Sequence, residues 1–270
     1  MALGQAKTAG RRGTPLADRD IRGAYLLLDR TNDVLQGLYK FSFQTVQGAG
    51  HGVMFATESG RLFGGDSGSC FTGRFHADNG GLSAELFMSR YNHDPKFVPL
   101  FAVDNVMLRF EGGQHGEEFR FTGGTDALPG LVFTVVLTPI NDADAPPAGR
   151  NGPDGIRNGL YSLRIDMLDG IGGGANGVMV LHEGRIRGGD AYFDYIGAYS
   201  AANGRWKGEL VNREHTPTMG ERPLFGGKEV GIGFVGRYDN DGAEADATAL
   251  AGKRSIRFKA VLRKLAEAEA

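Results

Sequence analysis

The side chains best placed to do chemistry are two aspartates that recur in one setting, Asp66 in Gly64-Gly65-Asp66 and Asp190 in Gly188-Gly189-Asp190. Such a carboxylate could bind a ligand or a metal ion. It could also accept hydrogen bonds from nearby backbone amides while the glycines bulge or reverse the chain, and the setting favours that structural role. Arg90 and Tyr91 form a second candidate pair, able to touch a ligand or to pack cation on ring. The histidines (His51, His76, His93, His115, His182 and His215) never adopt metal-ligand spacing. Of these, His93 and His215 precede Pro95 and Pro217 and read as corresponding loop positions. Cys70 has no partnered histidine and reads as a small core residue. Glu85 and Glu209 could supply paired carboxylates, but Leu82, Ala84 and Leu86 alternate with Glu85 and put it on the wetted face. The glycine-rich stretches 171–177 and 225–229 lack the Gly-Lys-Ser/Thr ending of a phosphate loop. The expectation is no catalytic set, no metal and no cofactor.

These candidates are carried by a repeat. Gly60-Arg61-Leu62-Phe63-Gly64-Gly65-Asp66 returns as Gly184-Arg185-Ile186-Arg187-Gly188-Gly189-Asp190, and Gly37-Leu38-Tyr39 as Gly159-Leu160-Tyr161. Asn79-Gly80 returns as Asn203-Gly204, and Pro99-Leu100-Phe101 as Pro223-Leu224-Phe225. A register kept over such lengths marks an internal duplication. Arg90-Tyr91-Asn92 is matched, less well, to Asn212-Arg213-Glu214.

Within each unit the pattern has period two, as where Tyr39, Phe41 and Phe43 alternate with Lys40, Ser42 and Gln44. The protein has 44 glycines in 270 residues, more than double the usual ~7%, which suits many tight turns. Asn79-Gly80 and Asn203-Gly204 are favoured two-residue hairpin turns, and Glu111-Gly112-Gly113 reads as a further turn. The fold class is therefore all-β, with eight short strands per unit in an up-and-down order. Closure into a barrel removes the open edges of such a sheet. The first barrel is placed at 36–141 and the second at 158–265. A Pro/Gly linker spans 142–157, a tail over 1–35, which Thr14-Pro15 could open as a short helix and in which 23–28 could equally be strand, precedes the first barrel, and a helical or frayed tail occupies 266–270. The basic residues Lys253, Arg254, Arg257, Lys259, Arg263 and Lys264 read as a protective charged edge.

Bulk composition limits the partners. A net charge of −2 draws the chain neither to nucleic acid nor to anionic lipid, and no run is long and apolar enough to span a membrane as a helix. One cysteine and no apolar leader suit a cytoplasmic location.

The Gly-Leu-Tyr, Gly-Arg-x-x-Gly-Gly-Asp and Arg90-Tyr91-Asn92 elements together resemble the GrlR family of bacterial negative regulators of type III secretion, with each repeat matching one family unit. The resemblance implies lipocalin-like barrels, and a regulatory role through protein contacts with a transcriptional activator. It also implies pairing of units, which the two repeats could satisfy within one chain, leaving a monomer or a weak homodimer. In the family an acidic hairpin loop meets the activator. Here the equivalent tips carry Asp78 and Asn79, and Asn203, without the acidic cluster. Those tips are the candidate partner loops, while Asp66, Asp190, Arg90 and Tyr91 are the candidate ligand contacts. The alternative function is carriage of a small apolar ligand inside a barrel, because periodicity cannot tell a filled core from a lined cavity.

Overall fold

The computed structural model describes residues 35–268 apart from 47, 79–80, 100–101, 169–173 and 219–222. The expected N-terminal helix, the Asn79-Gly80 turn, and Leu100 and Phe101 lie outside the described residues. The first repeat forms β1 (Gly37–Thr45), β2 (Gly48–Ala56), β3 (Arg61–Gly65), β4 (Ser69–Asp78), β5 (Gly81–Arg90), β6 (Asn105–His115), β7 (Glu118–Gly124) and β8 (Phe133–Pro139). The second forms β9 (Gly159–Met167), β10 (Gly174–His182), β11 (Arg185–Gly189), β12 (Phe193–Ala202), β13 (Arg205–Glu214), β14 (Glu229–Tyr238), β15 (Gly242–Ala251) and β16 (Arg254–Glu267).

Each set is an antiparallel meander closed on itself, giving two eight-stranded up-and-down barrels in tandem. Closure of the first pairs β1 with β8, setting Phe41 against Leu137 and Phe43 against Val135. Closure of the second pairs β9 with β16, with a register shift between Lys264 and Ala266. Strict alternation supplies the cores: β6 and β14 each bury every second side chain, as a strand with one face inward must. The turn Asn203-Gly204 has φ of 52° and 71°, the left-handed pair that a two-residue hairpin needs.

Several expectations are corrected. Ala266 and Glu267 continue β16, and the Ala268 amide donates to the Asn158 carbonyl at 3.0 Å, so the chain here is strand and not a frayed tail. The basic C-terminal strand protects no edge, because β16 is paired on both sides. Gly112 and Gly113 lie within β6, and the reversal falls at Gly116 with φ 67°. The segment between the barrels is bound to the second one. The Gly149 amide donates to the Gly184 carbonyl, the Ala201 amide to the Arg150 carbonyl and the Gly152 amide to the Ala201 carbonyl, while Ile156 is buried.

The outer faces of β1–β4 and β9–β12 are covered in part. They meet in a third apolar cluster of Leu38, Val53, Phe63 and Cys70 from the first barrel with Leu160, Val178, Val180 and Ile196 from the second. The contact has approximate twofold symmetry, β2 facing β11 and β3 facing β10, as expected where one patch meets its own duplicate. Val178 fits over Gly65, and Val53 over Gly189; a Cβ on either glycine would lie within 2.9 Å of the facing methyl.

Candidate functional site

The Gly-Gly-Asp turns sit beside this interface. In the first, Asp66 Oδ1 accepts from the amides of Gly68 (2.7 Å) and Ser69 (2.8 Å). Asp190 Oδ1 likewise accepts from Tyr192 (2.7 Å) and Phe193 (2.9 Å), and its Oδ2 also accepts from the Tyr195 hydroxyl. Both carboxylates are thus turn-forming acceptors. Burial pushes both pKa values up, against the pull of the amides.

Arg90-Tyr91-Asn92 clasps the first of these turns. The Tyr91 and Asn92 amides both donate to the Gly68 carbonyl, the Tyr91 hydroxyl to the Asp66 carbonyl (2.8 Å), and Asn92 Nδ2 to the Ser67 carbonyl (3.1 Å). Arg90 turns the other way, its Nε donating to the Asn92 carbonyl at 2.9 Å and its Nη1 lying 3.5 Å from Asp104. It fixes the loop that follows β5. Tyr91 stands close to both aspartates, and its hydroxyl pKa is raised by burial and then by the charges of Asp66, Cys70 and Asp190.

The structure shifts the expected correspondence in the second unit. The His215 and Thr216 amides donate to the Tyr192 carbonyl, and His215 Nε2 lies 3.2 Å from the Asp190 carbonyl. His215 therefore stands where Tyr91 stands, and Thr216 where Asn92 stands. The counterpart of Arg90-Tyr91-Asn92 is Glu214-His215-Thr216, not Asn212-Arg213-Glu214, and His93 is not the partner of His215. His93 is exposed. Cys70 lies in the interface cluster, its thiol pushed up to about 11, chiefly by burial. Glu85 and Glu209 are exposed, with Glu85 Oε1 3.0 Å from Arg109 Nε. Asp78 ends β4; Asn203 is an exposed hairpin tip far along β12–β13 from the Asp190 turn.

His215 carries a pH dependence. Burial first, and then the charges of Lys40 and His51, push its pKa from 6.5 to about 4, against the Asp190 carbonyl and Glu214. Lys40 Nζ donates to the His215 carbonyl at 3.4 Å across the interface. A histidine pKa depressed by folding contributes stability that is complete above 6.5 and is lost as pH falls towards about 4. Asp194 works in the opposite sense. Burial outweighs Arg213 and raises its pKa to about 6, so its contribution is complete below 3.8 and is lost as pH rises through about 6. Urea midpoints compared between about pH 7.5 and about pH 5 should thus fall less for His215→Gln than for the unsubstituted protein; parallel changes would refute the assignment.

The two barrel interiors differ. The first encloses a cavity of about 820 Å3, walled by rings and branched chains such as Phe41, Phe43, Phe71, Leu108, Phe110 and Phe133. Its mouth is formed by the Asp66–Ser69 turn, Arg90, the loop residues Phe97, Val98 and Pro99, and by Ala191 and Tyr192 of the second barrel. Among the described residues of the second barrel, the space between the inward side chains is about 30 Å3. Trp206 stands where the first barrel has Leu82, lies along the wall beside Gly236 of β14 so that its Nε1 donates to the Glu244 carbonyl of β15 (3.0 Å), and is 4.4 Å from the Phe234 ring. Ala243, Ala245, Ala247 and Ala249 line the inner face of β15, and their short side chains leave room for these rings. Phe225 closes the end against Phe258, with ring centres 5.1 Å apart.

The fold and site define a class: tandem up-and-down barrels, one hollow and one filled, joined back to back through a duplicated turn. No protein-family model and no curated protein matches the sequence. Among solved structures the chain is similar to a protein of Bacteroides fragilis, provisionally named as an outer membrane protein. The two share 9% identity and a TM-score of 0.25, over 85% of this chain and 96% of that one, a likeness too slight to carry any argument.

Proposed function

We propose that this is a non-enzymatic binding protein whose first barrel takes up a small apolar ligand. The observation that carries the reading is the cavity of about 820 Å3 with apolar walls, within the size range of sites that enclose small molecules. The filled second barrel acts as a scaffold that supplies one side of the mouth through Tyr192. Charged side chains face outward and apolar ones inward, the reverse of a strand barrel that spans a membrane, which agrees with a cytoplasmic carrier. The GrlR resemblance adds the second reading, regulation through protein contacts. It is favoured by a barrel that is filled yet presents a large structured outer face.

Titration with the apolar fluorophore N-phenyl-1-naphthylamine tests the first reading. One saturable site per chain is expected, and Ala84→Phe, which places a ring in the cavity, should weaken it about tenfold, equivalent to ~1.4 kcal/mol. Absence of saturable binding, or binding indifferent to that substitution in a protein with an unchanged melt, would sink the proposal.

A further inference from the structure

The duplication provides an internal control for the surface of the second barrel. A cleft of about 960 Å3 crosses the outer face of β12–β16 and β9. Among the described residues six cationic side chains line it: Arg150, Arg164, Arg205, Lys207, Arg237 and Lys259. The acids there are Asp166, Glu244 and Asp246, so the cleft carries a cationic excess on a chain whose net charge is −2. Strand pairing identifies the matching positions on the first barrel. Arg205, Lys207 and Arg237 correspond to Gly81, Ser83 and Gly113, while Arg164 and Lys259 correspond to Ser42 and Thr134. None of those five is charged. The hollow barrel is neutral where the filled barrel is basic.

We infer that this cleft on the second barrel binds an acidic protein segment. Three features select that class. A uniform phosphate backbone would lie against three carboxylates, whereas a peptide can set a neutral or basic residue opposite each. Trp206, the one ring among the described lining residues, is 4% exposed and offers no face for a base to stack on. A lipid surface would set its anionic headgroups against the same three carboxylates. Val235, 60% exposed, sits among the charges beside Lys207 and Asp246 and gives an apolar residue of the segment a place to rest. Arg150 is held in position by the bound segment between the barrels: its amide donates to Ser200 Oγ at 3.0 Å. The inference does not depend on the first barrel holding a ligand.

The test uses the full chain and three probes: a labelled peptide of Glu, Asp and Leu, an oligothymidylate of equal charge, and phosphatidylglycerol vesicles. The peptide is expected to bind, more weakly as salt rises, and Arg205→Glu with Lys207→Glu should weaken it at least about tenfold at low salt. Ser83→Glu on the first barrel and Ala84→Phe in its cavity should leave peptide binding unchanged. Failure of the peptide to bind, or binding indifferent to the charge reversal, overturns the inference. So does tighter binding of the oligonucleotide or the vesicles that the same reversal abolishes.

Discussion

Replacing Gly189 with valine should destabilise the protein by about 3 kcal/mol, since inserting carbon atoms into a closed contact forces the backbone to move. A Cβ at Gly189 would lie 2.2 Å from the Phe193 carbonyl oxygen and 2.6 Å from Val53 Cγ1. The first clash is within the second barrel and the second is between barrels. A double-mutant cycle with Val53→Ala separates them, because only the inter-barrel part is relieved by the smaller partner. Trp206 is the single tryptophan and is buried in the second barrel, so its fluorescence during urea unfolding follows that barrel. An unchanged midpoint for Gly189→Val would show that the two barrels do not pack at this glycine.

The second large effect is expected at Asp190. Alanine there leaves three donors without their acceptor, the amides of Tyr192 and Phe193 and the Tyr195 hydroxyl. Stranding buried donors costs roughly 1–3 kcal/mol each, and relaxation should hold the total near ~4 kcal/mol. Asp66→Ala strands two amides among the described residues, because Phe71 occupies the place of Tyr195, so it should cost about two-thirds as much. Asp190→Asn keeps the oxygen that serves the amides and should cost ~1 kcal/mol. Thermal or urea unfolding of the three variants gives the ranking. Equal losses at Asp66 and Asp190 would contradict the role assigned to Tyr195.

Much of this architecture could be read from the chain. The repeat, the alternation of Tyr39, Phe41 and Phe43, and the Asn203-Gly204 turn specify paired eight-stranded barrels, because each is a local consequence of strand geometry. The interface left a subtler mark. Gly52-Val53-Met54-Phe55-Ala56 and Val178-Met179-Val180-Leu181 are apolar on both faces, the pattern of strands covered on both sides. Duplication of Gly-Gly-Asp reflects the same contact, since Gly65 and Gly189 each receive a valine from the other barrel. The cavity left no such mark. Inward rings line both barrels, and whether they meet depends on placements far apart in the chain, such as Trp206 in line with Gly236 and Ala245. The exchange of Tyr91 for His215 was hidden because a phenol and an imidazole can each reach the same carbonyl, so the geometry survived while the letters changed.

Closure of each barrel by its first and last strands has a consequence for biosynthesis. The first barrel is complete once Pro139 has left the ribosome, but β9 has only β10 beside it, and the second barrel stays open, until β16, ending at Glu267, has emerged. At ordinary elongation rates that delay is on the order of 10 s. During it the finished barrel shows Leu38, Val53 and Phe63 to the surroundings of the nascent chain. Co-translational chaperones should therefore engage this protein after its first half has already folded.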